Sequence, residues 1–473
     1  MSASPPESGS IELRRILGPV DATCIVIGAI IGVGIFLTPN QVAKIALSGE
    51  MALLAWTVGG VIALLGALTF AELGAQYPRT GGQYDIIRDS YGPMTGFVYV
   101  FCNATAIQAG AVGIIAIICA SHLAEAAGRS IETISALMTV STAVIVALVL
   151  ANIIGVRWGS RIQNLTVFAK VLALLAVTGL AVSMSGSAES APETALAASA
   201  APAPAGMLGK AGILFAAMVP AFFAFGGWQQ ALWMAGEVRR PERNVPLAIV
   251  VGVIIVVIVY VLINWAYLRL LGYEGVITSG ALAADSVRPF WPGIGERIIA
   301  GAVAVSAFGV LNAQFLAGPR LICGMAEDGR FFGIFARISR RFRTPVPAIL
   351  LLAAMSLTLL HGTFAVFANR EDAIKEGTAA IDNLLTGVVI IDGIFFALTG
   401  FALIVLRLRR PDQPRPVRVP GYPVVPLLFV LGELAMLTGS FATQMHKYLF
   451  LLAAGWIAVA SIMYLIWFRR RGR

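Results

Sequence analysis

The chain has 473 residues, of which 58% are hydrophobic and 12% charged, and its mean hydropathy is +0.85. A soluble domain carries about a quarter charged residues, so this composition excludes a water-soluble globular protein. The net charge of +9 and isoelectric point near 9.6 would suit an anionic partner. The basic residues cluster between apolar runs, which assigns them to membrane topology and leaves no place for nucleic acid.

Residues 1–16 are polar and end in Arg14 and Arg15, with no apolar stretch before Leu17; they read as a cytoplasmic tail without a cleavable signal. About 20 apolar residues span a bilayer as a helix. About twelve such runs follow, near 17–40, 51–75, 93–124, 134–154, 162–184, 209–236, 245–271, 297–323, 346–367, 384–407, 423–442 and 448–468. The predicted fold is therefore an all-α integral membrane protein with twelve transmembrane helices. With the N-terminus cytoplasmic, the cytoplasmic segments hold more than twice as many Lys and Arg as the opposite side, as the positive-inside bias requires. The clusters are RRPER at 239–243, RISRRFR at 337–343, RLRRPDQPRPVR at 407–418 and RRRGR at the end.

The first run contains GAIIGVGIF, with Gly28, Gly32 and Gly34 within seven positions. Glycine inside a helix costs roughly 1 kcal/mol relative to alanine. Two readings account for it: a GxxxG face for close helix packing, or a deliberate interruption of the helix. The sixth run carries its own interruption, Pro220 followed by FGGW at 225–228. Matched breaks in two halves point to a transporter built from inverted repeats. Residues 17–184 (spans one to five) and 209–407 (spans six to ten) are the expected repeats. Between them 185–208 is an Ala, Ser and Pro-rich non-cytoplasmic loop. Residues 408–473 hold spans eleven and twelve and a basic cytoplasmic C-terminus. Backbone that leaves the helix in a membrane must be satisfied by protein, water or ligand. Amides at the start of a half-helix suit a carboxylate, and freed carbonyls suit an ammonium, so one break fits a zwitterion.

At these residues the sequence resembles the amino acid–polyamine–organocation (APC) superfamily, and within it the L-type amino acid transporter branch. The matching stretches are GAIIGVGIFLTP in span one, GALTFAELGAQYPRTGGQYDIIRDSYG at 66–92 and RIQNLTVFAKVLALLAV in span five. Further ones are FFAFGGWQQALWMAGEVRRPERNVPLAI at 222–249, PRLICGMAEDGRFF at 319–332 and TPVPAI at 344–349. The resemblance implies a LeuT-type fold of five-plus-five inverted repeats and two extra helices, with spans one and six broken at mid-membrane. It implies an amino acid held between the breaks by Ile30, Gly32, Val33, Gly34, Phe223, Ala224, Gly226 and Trp228. The amides of Val33 and Gly34 would take its carboxylate, and the carbonyls of Ile30, Phe223 and Gly226 its ammonium. Phe223 would also close over it as a gate. Where relatives carry Ser or Ala this chain has Val33, which narrows the pocket toward smaller side chains. Animal light chains of the branch carry a cysteine between spans three and four for a heavy-chain partner. The loop EAAGRSIET at 125–133 has none, so no disulfide-linked heavy chain is expected.

Lys170 stands about eight residues into span five, where a lysine costs about 3 kcal/mol on insertion scales; it should face the bundle interior. It matches the family's span-five lysine, a built-in cation in the region where sodium-coupled relatives hold sodium; it is expected either to stay charged and make transport sodium-independent, or to lose its proton in one state and couple transport to protons. Asp392, in span ten, replaces a residue that is neutral and polar in relatives. It is expected either to take up a proton, to favour a polar or cationic substrate, or to bond between helices. Glu433, in span eleven, reads as an interhelical contact. Glu72, Arg79 and Arg320 are expected to anchor the cytoplasmic gate by ion pairs. Asn103, Gln108, Gln229, Asn312 and Gln314 either line the pocket or bond between helices. Cys24, Cys102, Cys119 and Cys323 and the three histidines lack metal-ligand spacing, so no metal and no cofactor is expected.

The expected function is sodium-independent secondary transport of amino acids, neutral L-amino acids foremost, by exchange or proton coupling. The substrate is the small-molecule partner and the lipid bilayer the solvent. The expected location is the plasma (inner) membrane, with both termini cytoplasmic. Cationic amino acids or polyamines are the alternative substrates, and a non-transporting amino acid receptor is the rival of another class. No hydrolase, metalloprotease or nucleotide-binding motif is present, so the chain is not read as an enzyme.

Overall fold

A computed structural model describes residues 13–183, 206–367, 373–442 and 447–469; most of the tail at 1–16 and most of the loop at 185–208 lie outside the described residues. The described chain is helical: α1 (Pro19–Ile30), α2 (Gly34–Ala46), α3 (Gly49–Gln76), α4 (Gly82–Tyr91), α5 (Pro93–Ala126), α6 (Ile134–Ile154), α7 (Val156–Ser183), α8 (Met207–Phe225), α9 (Gln230–Trp233), α10 (Pro241–Thr278), α11 (Leu282–Val287), α12 (Ile294–Glu327), α13 (Val346–Phe367), α14 (Ala373–Arg409), α15 (Val424–Ala442) and α16 (Lys447–Met463). Among the described residues the only bridge of β type joins Leu17 to Val238.

Nine helices among the described residues are long and apolar enough to cross a membrane, and Pro19–Ile30, Gly209–Phe222 and Val424–Thr438 are shorter apolar helices. The protein is a multi-pass membrane protein. Two of the apolar runs in the sequence do not become single helices. The run at 17–40 divides into α1 and α2, and the run at 209–236 divides into α8, α9 and a 3₁₀ turn at Ala235–Glu237. The helices start and stop where local chemistry dictates. Ser48 and Thr133 accept hydrogen bonds from the amides of Met51 (3.2 Å) and Ala136 (3.3 Å), and Pro19, Pro93 and Pro241 occupy first turns, where the missing N–H is not needed.

Most spans have a buried and an exposed apolar face. On α7, Phe168 is 63% and Leu172 69% exposed, whereas Lys170 is 0% exposed. An apolar exposed face is what lipid contact requires, and the polar residue turned inward is what hydrocarbon enforces. The α5 span is 78% buried and the Leu449–Phe468 span 22%, so α5 runs through the bundle and the last helix flanks it.

The short helix α4 ties several elements together at one end of the bundle. Arg88 pairs with Asp85 (2.8 Å), Asp89 (2.9 Å) and, on the loop after α12, Asp328 (3.1 Å). Tyr84 donates to Asp328 (2.6 Å), and Arg410, just past α14, reaches Asp89 (2.9 Å). Burial pushes the Asp85 carboxyl from 3.8 up to about 6, against the pull of Arg88 and Arg79 and with help from Asp89 and Asp328. Between pH 3.8 and about 6 the folded state therefore binds more protons than the unfolded one. The stability Asp85 contributes is full below pH 3.8 and is lost as pH rises through about 6. Asp85→Asn removes that dependence. The stability difference between wild type and this variant, read by thermal unfolding in detergent, should fall by about 1–3 kcal/mol from pH 4 to pH 7; parallel curves would refute it.

Candidate functional site: two helix breaks in contact

The first break lies between α1 and α2. Ile31, Gly32 and Val33 are non-helical, Ile31 turns out of the helix at φ −70 and ψ 92, and Gly34 begins α2. The second lies between α8 and α9, where Gly226 and Gly227 are non-helical and Trp228 and Gln229 form a turn. Gly227 adopts φ +130, a region open to glycine and strained for other residues. A Cβ there would stand 2.8 Å from both the carbonyl carbon and oxygen of Ala29. The backbone of the second break thus lies directly on the last turn of α1. A small cleft lined in part by Ile62, Phe222 and Met436 lies away from this contact.

A helix that stops inside the bundle leaves its last carbonyls without intrahelical partners, and those of α1 are met by side chains. Lys170 Nζ donates to Gly28 O at 2.9 Å and also to Ile31 O. Ser306, on α12, donates to the carbonyls of Ile31 and Gly32, both at 3.4 Å. Tyr260, on α10, donates its hydroxyl to Ile30 O (3.0 Å) and Ala224 O (3.2 Å), one oxygen reaching both broken helices. Tyr260 and Ser306 are absent from the sequence expectations. Their only signal is a polar tip within an apolar run, and their partners on the first break lie more than 200 positions away.

Of the expected site residues, Gly32 and Val33 lie in the first break, Gly34 at the start of α2 and Ile30 at the end of α1; Gly226 and Trp228 lie in the second break, and Ala224 in the last turn of α8. The Ile30 carbonyl already accepts from Tyr260, which leaves one lone pair. The start of α2 presents first-turn amides, the part of the break suited to an anion. The gate expected of the Phe223 side chain lies outside the described residues. Trp228 is fully buried and meets Phe396 at 5.0 Å, Phe70 at 5.9 Å and Phe429 at 6.2 Å between ring centroids. Gly28 lies inside α1 and not in the break; a Cβ there would sit 1.6 Å from the amide nitrogen of Gln163, so this glycine makes room for span five.

The two broken helices are also joined at the end where α1 begins. Leu17 N–H donates to Glu237 O (3.0 Å), and Arg239 N–H returns to Leu17 O (2.9 Å). Asp21 accepts from Ser160 (2.9 Å) and Asn164 (2.7 Å) on α7. Glu237 and Arg320, both fully buried, pair at 2.8 Å. Glu72 is fully buried and accepts from Arg407 (2.9 and 2.5 Å) and from the Val419 amide (2.6 Å). Arg79 is exposed and acts on Asp85 at a distance. Of the other polar candidates, Gln108 donates to Asn103 (3.1 Å), Asn312 donates to Gln163 (2.8 Å) and Gly159 O (2.9 Å), and Gln314 accepts from Gln230 (2.9 Å), whereas Gln229 lies buried in the second break with its side-chain oxygen unpartnered. Asp392 lies on α14, away from these contacts.

The approach of Gly227 to Ala29 generates a prediction. Gly227→Ala combines a strained φ with a backbone overlap, each worth about 1–3 kcal/mol, and should lower the unfolding temperature in detergent and abolish the site's function. Gly212→Ala, on α8 with open space around it, should leave both near wild type. Equal behaviour of the two variants would contradict the contact.

Comparison with known proteins places the chain in a family. The amino acid permease family matches residues 17–468. The serine/threonine exchanger SteT of Bacillus subtilis is 30% identical over 91% of this chain and 92% of its own length. The human cystine/glutamate transporter is 30% identical over 90% of this chain and 80% of its own. The human large neutral amino acids transporter small subunit 2 is 29% identical over 90% and 77%. With a family match that runs through both breaks and nearly every helix, the chain belongs to the amino acid permeases, which carry solutes and are not enzymes.

Proposed function

We propose that this permease is a sodium-independent secondary transporter of neutral L-amino acids that works by alternating access, as an exchanger or coupled to protons. The observation that carries the reading is Lys170, fully buried, with its ammonium on two carbonyls that α1 leaves free. A fixed cation at the carbonyl end of the break does the work of a bound sodium ion, and leaves the amide end for a substrate carboxylate. The substrate ammonium then takes the remaining lone pair of Ile30 and the carbonyls of Phe223 and Gly226, with the Phe223 side chain as the gate.

In this reading the nine long helices and three short apolar ones make twelve spans, with spans one to five and six to ten as inverted repeats and both breaks at mid-membrane. The chain lies in the plasma (inner) membrane with both termini cytoplasmic, as the Lys and Arg bias favours. Glu72 and Arg320, with Arg79 nearby, then belong to the cytoplasmic gate. The relatives named above are exchangers and transporters of amino acids by name, which supports the substrate class. Asp392 is the feature that favours a cationic substrate instead, and a receptor with the same site would bind without flux.

Uptake of labelled amino acids into proteoliposomes tests the proposal. Wild type should carry a neutral L-amino acid equally with and without sodium. Lys170→Ala removes hydrogen bonds from a charged donor, worth about 1.5–3 kcal/mol, and should slow uptake about tenfold or more. Sodium-dependent uptake by wild type, or full activity of Lys170→Ala, would overturn the reading.

A further inference from the structure

Glu433 is 1% exposed, and neither of its carboxyl oxygens has a hydrogen-bond partner. It lies on α15, which packs along α14. A Cβ at Gly393 would stand 3.1 Å from Met436, and one at Gly400 would stand 2.7 Å from Phe429. Asp392 adjoins Gly393 and Glu433 is one turn before Met436 and Leu437, which Gly393 meets, so both residues sit along this seam; Asp392 acts electrostatically on Glu433 and on Tyr99 of α5. Among the described side chains no cation acts on either carboxyl. The seam meets Ile62 and Gly66 of α3, whose acid Glu72 is held by Arg407. Arg407 is 15 residues past Asp392, about 22 Å along the helix. On α8 the only titratable residue is Lys210, exposed at its start; Tyr464, after α16, accepts from Arg330; His361, on α13, bonds Thr142.

An ionised carboxylate buried without a partner costs several kcal/mol, and a second one beside it adds repulsion. A proton is the one ligand that fits this place: it neutralises a carboxylate without needing room. The seam also touches the second break. Phe396 is one turn beyond Asp392, Phe429 is one turn before Glu433, and both rings pack on Trp228. Tyr99 reaches the same region by another route, donating to Gln83 (2.6 Å), which also accepts from Trp233 of α9 (2.9 Å).

We propose that Glu433 and Asp392 form a proton-binding site in the seam between α14 and α15, whose loading is coupled through Trp228 to movement of the second break. The proton binds a carboxylate oxygen as COO⁻ + H⁺ → COOH, and leaves when repacking of Phe396 and Phe429 admits water. The inference rests on the transporter reading, and makes its coupling ion a proton.

Two measurements on the full chain test it. In proteoliposomes, an inward proton gradient should stimulate wild-type amino acid uptake, and in Glu433→Gln the ratio of uptake with and without the gradient should fall to one. Wild-type uptake indifferent to the gradient, or a stimulated ratio that survives Glu433→Gln and Asp392→Asn, would overturn the site. Infrared difference spectra between acid and neutral pH, recorded without substrate, should show the carbonyl band of a protonated carboxyl in wild type. That band should be lost in Glu433→Gln, or in Asp392→Asn should the first variant fail to fold; an unaltered band in a folded variant, or no band in wild type, would overturn the site. If wild type carries no amino acid, the transport reading fails and the infrared result still decides whether the proton site exists.

Discussion

A peptide carbonyl released from its helix within a membrane has no water to turn to, and the ammonium of Lys170 is what receives those of Gly28 and Ile31. Most other features of the site follow from that bond. It requires a lysine on the inward face of α7, between lipid-facing Phe168 and Leu172. Gly28 makes room for the same helix, since the side-chain amide of Gln163 stands where its Cβ would be. It also meets carbonyls that α1 leaves without helical partners at its end. Ser306 and Tyr260 complete the set of donors from α12 and α10, so three helices hold the end of a fourth.

The second break is fastened to the first by contact rather than by charge. Gly227 rests on Ala29, Tyr260 bonds the last turns of both α1 and α8, and Leu17 pairs with Val238 at the other end. The two broken helices are therefore one mechanical unit, clamped at two levels. A packed unit of this kind moves between discrete arrangements and does not deform gradually. Trp228 packs on Phe396 of α14 and Phe429 of α15, so the second break is in contact with those helices.

The sequence made some of this legible. Gly32 and FGGW at 225–228 mark both breaks, because glycine is the residue that leaves a helix at least cost, and the apolar runs are strong enough to outline nearly every helix. Lys170 is legible for the opposite reason, since nothing but use justifies its place. Gly28 follows the close-packing reading and not the interruption, for it makes room for Gln163, 135 positions away, and a helical glycine that makes room looks the same in sequence as one that breaks. Tyr260 was hidden in IVYVLIN, where its ring reads as one more apolar residue and only the fold brings its hydroxyl to Ile30. The partners of Glu72 were unreadable on the same ground, for Arg407 is 335 positions distant. Glu433 read as a packing contact, and the structure gives it no partner.

The central claim is that interrupted backbone, arranged around a fixed ammonium, receives the substrate. A structure determined by electron cryo-microscopy in lipid nanodiscs with a saturating neutral amino acid tests it most directly. The account predicts a ligand whose carboxylate accepts from the amides of Val33 and Gly34, with its ammonium toward the carbonyls of Ile30 and Gly226. An amino acid bound elsewhere, or α1 and α2 wound continuously through Gly32, would contradict it.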